Sequence, residues 1–242
     1  MIPLRDDNPT TIVPVMTVGL IVLNVLVFFY QISLGPRGGE LFVYQFGAIP
    51  SVIFGSQTLP SELVAIPASF SIFTSMFLHG GYMHLIGNML YLWIFGNNIE
   101  DAMSHGRFIV FYLLTGGGAS MAHFLTNMAS EIPTIGASGA ISGILGAYIL
   151  LYPRARVLVL IPLGFFVRIM YIPAGLVLGF YFVIQLFQGT FSWGQGGGGV
   201  AWFAHIGGFV AGLLLVGLFK QRTVRFFNQP HHHARRARTR RL

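Results

Sequence analysis

The stretch Pro133-Thr-Ile-Gly-Ala-Ser-Gly-Ala-Ile-Ser-Gly-Ile-Leu-Gly146 decides how the rest of the chain is interpreted. It places Ser138 between two glycines at the start of an apolar segment. Gly139, Gly143 and Gly146 have the spacing that lets neighbouring helices approach closely in a membrane. Taken alone, Ser138 in this position can also serve as a helix N-cap or satisfy a nearby carbonyl. Its interpretation therefore depends on the polar residues that other segments carry.

Composition indicates an integral membrane protein. The 242 residues are 54% hydrophobic and 9% charged, and the mean hydropathy is +0.71. A soluble domain carries roughly 25% charged residues, so this chain has too few to cover a water-exposed surface. The sequence contains no cysteine, which excludes disulfides and thiolate nucleophiles.

Six apolar segments have the length of membrane-spanning helices. The predicted fold is therefore an all-α membrane protein, a six-helix bundle in residues 1–219 followed by a basic tail in 220–242. A further apolar stretch at 157–170 is interrupted by Pro162 and Gly164, and we predict it to be re-entrant or interfacial. The six segments are 12–34, 76–98, 108–129, 137–152, 171–188 and 200–219.

The positive charges predict the orientation of these helices. With a cytoplasmic N-terminus, thirteen of the fourteen Lys and Arg residues fall inside, and Arg37 alone falls outside. Eight of the thirteen belong to the tail that begins at Lys220. We predict that both termini are cytoplasmic. The compact chain and basic tail suit a protein of the bacterial plasma membrane, and an organelle membrane is the alternative. The tail is predicted to contact anionic lipids, and no nucleic-acid partner is expected.

The predicted orientation brings polar residues from three helices to one depth. Helices two, four and six all begin at the outer face, and they carry His84 with Asn88, then Ser138, then His205. Helix four has about 16 residues, or roughly 24 Å, against a hydrocarbon core of roughly 30 Å. Ser138 is therefore expected below the outer surface, in a water-filled cavity that opens outward. Polar groups in membrane spans are costly and usually face a bundle interior or a wet cavity.

A serine and a neutral histidine at the same depth fit acyl transfer. His205 can accept the proton of the Ser138 hydroxyl, which makes that oxygen a nucleophile. His84, Asn88 and the backbone N–H of Ser138 can stabilise an oxyanion. No acidic residue is expected at this depth, so we predict a Ser–His dyad whose imidazole is oriented by packing or by a non-acidic hydrogen bond.

Metal and aspartyl chemistry are not indicated. The sequence has no H-E-x-x-H motif and no spanning segment with a central Asp, and we expect no cofactor or metal. The segment 189–199 contains a literal G-x-G-x-x-G, at Gly194, Gly196 and Gly199, but no predicted strand precedes it. We predict that this segment is a mobile cover on the outer face, not a nucleotide site.

Three motifs resemble the signatures of the rhomboid intramembrane serine proteases. They are Gly136-Ala-Ser-Gly139, His84-Leu-Ile-Gly-Asn88 and Ala204-His-Ile-Gly-Gly-Phe-Val-Ala-Gly212, and the resemblance covers about residues 70–219. It implies an endopeptidase that cleaves transmembrane segments of other membrane proteins near the outer face. Its nucleophile would be Ser138 and its base His205.

The resemblance also implies moving parts, and the sequence departs from the family pattern in two places. Helix five, at about 171–188, would be a lateral gate, and the loop before helix six would be a cap. The first outside loop lacks the Trp-Arg pair that rhomboids often carry, and Ser142 occupies the place of an aromatic that stacks on the histidine in many members.

Two other functions remain open at this point. The first is a catalytically silent rhomboid-like protein that binds membrane clients, although such relatives typically lose the serine or a histidine. The second is a small transporter or channel, which predicts a polar path across the bilayer. The inner halves of helices two, four and six are nearly all apolar, which argues against such a path.

Overall fold

The computed structural model describes residues 1–164, 166–191 and 201–228, and most of them are helical. Helices suit these apolar segments because in lipid every backbone polar group must be satisfied within the segment. A π turn at Leu92–Gly96 joins α5 and α6 into one continuous rod. The helices are α1 Val15–Ser33, α2 Gly35–Phe46, α3 Pro50–Ile53, α4 Ser71–Thr74, α5 Tyr82–Tyr91, α6 Asn97–Met103, α7 His105–Thr126, α8 Ser138–Leu151, α9 Ala174–Phe191 and α10 Trp202–Phe219. Short 3-10 turns occupy Ser61–Leu63, Ala68–Phe70 and Ser75–Phe77.

Four helices in the described part of the chain are long and apolar enough to cross a membrane. They are α1, α7, α9 and α10. Helix α8 is apolar but has only 14 residues, about 21 Å along its axis. The second predicted span corresponds to the α5–α6 rod, which is not a single regular helix. The protein is thus a mostly helical integral membrane protein, and crossing by all six predicted segments stays a prediction.

A three-stranded sheet shows that the all-α prediction is wrong at one end of the bundle. The strands are β1 Ile2–Asp6, β2 Arg156–Leu163 and β3 Phe166–Pro173, paired antiparallel in the order β1-β2-β3. The stretch 157–170, predicted as re-entrant or interfacial, forms the β2–β3 hairpin. The all-α prediction did not include this hairpin, because a short apolar run cannot be classified as helix or strand by periodicity alone.

The sheet also shifts the boundary of the fifth predicted helix. Residues 171–173 were predicted to begin that helix, but Tyr171 and Ile172 pair with Leu158 and Val157 of β2. Helix α9 therefore begins at Ala174. Residues 189–191 of the predicted cover belong to α9. The rest of that cover, 192–199, and most of the basic tail lie outside the described residues.

Asp6 ties the end of β1 to the helices. Its Oδ2 accepts hydrogen bonds from the Tyr148 hydroxyl at 2.6 Å and from Asn98 Nδ2 at 2.8 Å. Burial at this junction raises the pKa of Asp6 from its ordinary 3.8 to about 6, because desolvation disfavours the charged carboxylate more than the hydrogen bond from Tyr148 favours it.

This shift predicts a pH-dependent stability. Between about pH 4 and pH 6 the folded protein keeps the Asp6 proton that the unfolded chain releases, so stability falls as pH rises through this window. The loss is at most about 3 kcal/mol. Asp6→Asn should remove this pH-dependent loss. The melting temperature of the variant in detergent should therefore rise relative to that of the parent between pH 4 and pH 7. A difference that stays constant with pH would contradict the assignment.

Glu100 holds the start of α1 against the α6 helix. Its side chain is fully buried, and both of its oxygens accept hydrogen bonds. Oε1 accepts from the Met16 N–H and contacts His105 Nδ1, and Oε2 accepts from the N–H and the hydroxyl of Thr17. The carboxylate thereby satisfies two of the first N–H groups of α1, which have no intrahelical acceptor.

Glu100→Gln should destabilise the protein by about 1 to 3 kcal/mol. In the variant an NH2 group replaces one of the two carboxylate oxygens, and each of these oxygens accepts from a backbone N–H. Two donors therefore face each other, and that backbone N–H loses its acceptor. The melting temperature in detergent measures this, and Glu40→Gln, the same change at an exposed position of α2, is the matched control. Equal melting temperatures for the two variants would show that the buried carboxylate contributes nothing to stability.

Candidate active site

Helices α8 and α10 pack backbone against backbone. A Cβ atom added to Gly208 would overlap the carbonyl oxygen of Gly139, and one added to Gly212 would overlap that of Gly143. Glycines four residues apart on each helix thus face each other, a spacing that lets membrane helices approach closely. This contact confirms the close helix approach predicted from Gly139 and Gly143.

Helix α7 covers another side of α8. A Cβ on Gly139 would lie 2.6 Å from the Ala119 Cβ. Thr115 presses against Gly143 in the same way, and its hydroxyl donates to the carbonyl of Phe111 at 2.9 Å. Eleven of the fourteen residues of α8 are buried, which makes this short helix the centre of the bundle.

The segment before α8 is fixed in an unusual backbone conformation. Gly136 has a φ of +121°, a region that L side chains rarely adopt. Its N–H donates to the carbonyl of Ser75 at 2.9 Å, and two residues earlier Thr134 pairs with Ala48 in an antiparallel bridge. These contacts set the position at which Ser138 begins the helix.

Ser138 and His205 are in hydrogen-bond contact. The Ser138 Oγ lies 2.8 Å from Nε2 of His205, and the His205 side chain is largely buried between α8 and α9. The second ring nitrogen, Nδ1, lies 2.8 Å from Oε1 of Gln185. Because an amide oxygen can only accept, Nδ1 carries the proton, and Nε2 of the neutral ring is left to accept the serine hydroxyl.

Gln185 is a site residue that the sequence prediction did not name. It lies on α9, is 6% exposed, and supplies the non-acidic hydrogen bond that was expected without an assigned donor or acceptor. A glutamine in an apolar span is a costly residue and therefore a signal. The same helix also carries Gln188, which is exposed, and the sequence alone gives no reason to choose between the two.

His84 and Asn88 lie beside the serine turn. The Gly80 N–H donates to Nδ1 of His84 at 3.3 Å, so the neutral His84 ring carries its proton on Nε2. Nδ2 of Asn88 is buried and has no hydrogen-bond acceptor among the described residues. A Cβ atom on Gly136 would lie 2.8 Å from His84 Nε2 and 3.7 Å from Asn88 Nδ2. Both donors therefore sit against the backbone two residues before Ser138.

Ser142 interacts with α9. Its Oγ is 3.0 Å from the hydroxyl of Tyr181. Trp202, one turn earlier on α10, is an aromatic neighbour of His205, and its ring is edge-on at a centroid distance of 6.2 Å. This chain thus has a serine where many rhomboids have an aromatic residue, and its His205 ring is contacted by Gln185 of α9 and by Trp202 at the start of α10.

A small cavity adjoins the serine. It has a volume of about 20 Å³ and is lined by Ser138, Gly136 and two further serines, Ser75 and Ser120, among others. This volume is enough for about one water molecule.

Comparisons with known proteins agree with this architecture. The Rhomboid domain family model matches residues 68–222. The chain is 32% identical over 200 residues to the rhomboid protease GluP of Bacillus subtilis, which covers 82% of this chain and 34% of that protein. It is 28% identical over 158 residues to the mitochondrial rhomboid protein 1 of Saccharomyces cerevisiae, covering 62% of this chain and 41% of that one.

A plant relative gives a similar match. The chloroplastic rhomboid-like protein 11 of Arabidopsis thaliana is 29% identical over 163 residues, covering 64% of this chain and 54% of that protein. The matched segments thus span about a third to a half of these relatives' own lengths. Because the Rhomboid domain covers well over half of this sequence, the chain belongs to the rhomboid family.

The α8–α10 contact predicts a sharp difference between two glycines. Gly212→Ala should destabilise the protein by about 1 to 3 kcal/mol, because its Cβ meets a backbone carbonyl that cannot rotate away. Gly117→Ala, on α7, has no atom within 4 Å of its Cβ and should leave stability unchanged or raise it by up to about 1 kcal/mol. Thermal unfolding of both variants in one detergent compares them, and a similar loss in each would argue against backbone packing as the cause.

Proposed function

We propose that this protein is an intramembrane serine endopeptidase that cleaves transmembrane segments of other membrane proteins near the outer face. The observation that carries the proposal is the 2.8 Å contact between Ser138 Oγ and His205 Nε2. This is the geometry that a nucleophile and its general base require, in a largely buried setting.

The first step would be acylation. Ser138 Oγ attacks the carbonyl carbon of the scissile peptide bond while its proton passes to His205 Nε2. The tetrahedral intermediate then collapses, the C–N bond breaks, and the imidazolium returns the proton to the leaving amine. The acyl group stays on the serine.

The second step would be hydrolysis of the acyl-serine. A water molecule gives a proton to His205 Nε2 and attacks the ester carbonyl. Collapse releases the carboxylic acid and returns the proton to Ser138 Oγ.

The oxyanion of each tetrahedral state has three candidate donors. His84 Nε2–H and Asn88 Nδ2 lie side by side against Gly136, and the N–H of Ser138 is at the first turn of α8, where amides lack intrahelical acceptors. The unpartnered Asn88 Nδ2 supports this role, since a buried donor without an acceptor is costly unless a ligand uses it.

Contacts at one end of the bundle support the predicted six-span orientation. β1, at the N-terminus, pairs with β2, which follows α8, so the helices between them must cross the membrane an even number of times. After α10 the chain returns to the same end, where the Gln221 N–H donates to the Ala102 carbonyl at 2.8 Å. An even number of crossings with both termini on one side fits six spans made of α1, α5–α6, α7, α8, α9 and α10.

We infer further that this end is cytoplasmic in a bacterial plasma membrane and that the basic tail contacts anionic lipids. The thirteen-to-one distribution of positive charges supports the orientation. The shortness of α8 supports a Ser138 placed below the outer surface, in a cavity that water enters from outside.

Replacing the dyad tests the proposal. Ser138→Ala and His205→Ala should each abolish cleavage of a single-span reporter protein in detergent or proteoliposomes, a loss of at least about 10³-fold. A fluorophosphonate probe should label the parent chain but not Ser138→Ala. Ser33→Ala, at the exposed end of α1, is the matched serine control and should keep full activity.

Two outcomes would overturn the proposal. Full cleavage by Ser138→Ala would show that another group performs the reaction. A correctly folded parent chain that neither cleaves nor takes up the probe would favour the catalytically silent, client-binding alternative.

A further inference from the structure

We propose that Gln185 is the residue that positions His205, and that it makes the dyad depend on α9 being seated against α8 and α10. The inference rests on the proposed function and deepens it. It assigns a role to a residue outside the three sequence motifs, on a helix that carries neither the nucleophile nor the base.

The first support is the contact itself. Gln185 Oε1 lies 2.8 Å from His205 Nδ1, and the two side chains are 6% and 9% exposed. Water therefore has little access to replace Gln185 as the acceptor. Among the described residues, no carboxylate hydrogen-bonds to the ring. The amide thus holds the place of the third member that orients the histidine in a triad.

The second support is that α9 makes another polar contact one turn away. Tyr181 precedes Gln185 by four residues, so both lie on one face of the helix. The Tyr181 hydroxyl reaches Ser142 on α8 at 3.0 Å, while Gln185 reaches α10. The same face is completed by Phe182, whose ring stacks on that of Phe209 at 4.5 Å.

The rest of α9 is open. Leu176, Phe180 and Phe187 are 66%, 51% and 61% exposed, as expected for side chains that face lipid. Helix α9 is therefore held by one face only. Moving it outward would separate Gln185 from His205 while leaving the glycine contact between α8 and α10 intact.

The consequence is a link between helix position and base orientation. With α9 seated, Gln185 fixes the Nδ1–H tautomer and the ring plane, and Nε2 points at Ser138. With α9 displaced, the ring loses its acceptor and its preference for that tautomer. A substrate segment that enters past α9 would then be cleaved only after α9 returns.

Three single variants test the positioning role. Gln185→Leu removes the acceptor at similar size and should lower kcat about 10- to 100-fold while KM changes less than about twofold. Gln188→Leu is the same substitution on the exposed face of α9 and should behave as the parent. Gln185→Glu should stay active and move the acidic limb of the pH profile of kcat/KM to higher pH by about one unit or more, because a carboxylate favours the protonated imidazole.

The outcomes of this set separate the two proposals. An inactive parent chain defeats the proposed function itself. If the parent is active and Gln185→Leu and Gln188→Leu have equal kcat, only the positioning role of Gln185 is contradicted. If Gln185→Leu does not fold, Gln185→Glu decides, since an unmoved acidic limb means that residue 185 does not act on the base.

A double-mutant cycle tests the dependence on α9. Tyr181→Phe removes the hydrogen bond to Ser142 and should lower kcat several-fold in the parent background. If the position of α9 affects the reaction through Gln185, Tyr181→Phe should lower kcat less than about twofold in the Gln185→Leu background. Equal losses in the two backgrounds, or none in the parent, would overturn the coupling between α9 and the base.

Discussion

The contact between the backbones of α8 and α10 is the constraint on which the site depends. Ser138 directly precedes Gly139, and His205 lies three residues before Gly208, so the two side chains flank the first glycine pair. Helices packed through ordinary side chains lie 8–10 Å apart. The missing side chains allow a closer approach, and this approach lets a short serine reach an imidazole on another helix. The contact between Ser138 and His205 is therefore a product of helix packing and not of a loop.

Two buried hydrogen-bond acceptors, Glu100 and Gln185, are stabilised in different ways. Glu100 is a fully buried carboxylate, and it is surrounded by donors from Met16, Thr17 and His105. The acceptor of the His205 ring is a neutral amide, Gln185, with much smaller desolvation costs than a carboxylate. A carboxylate among apolar helices needs several donors or a charged partner, such as a protonated imidazole, to offset its desolvation. An amide needs fewer, which suits a helix that contacts its neighbours through one face.

The sequence was sufficient for the parts of the site that depend on spacing. Ser138, His205, His84 and Asn88 could be predicted to lie together because helix direction and segment length determine depth. The structure places His84 and Asn88 against Gly136, and His205 in contact with Ser138. Gln185 was missed because the rotation of α9 about its axis decides whether residue 185 or 188 faces inward. That rotation is set by packing partners on α8 and α10, which no local pattern reveals.

The fold was predictable to a similar degree. Hydropathy located the helices because lipid imposes length and polarity on each segment separately. It did not locate the sheet. The β2–β3 hairpin is a short apolar stretch that periodicity alone cannot assign to helix or strand. The partner of β1 lies about 150 residues later, so the local sequence of β1 does not indicate the pairing.

That pairing of β1 with β2 also bears on biogenesis. At roughly 5 to 20 residues per second, the ribosome makes the second strand about 8 to 30 seconds after the first. Throughout this interval the leading segment must stay unpaired on its own side of the bilayer while the intervening helices insert. A nascent chain with one helix inserted backwards would leave the two strands on opposite sides. Closure of the sheet thus marks the molecules whose early insertion succeeded.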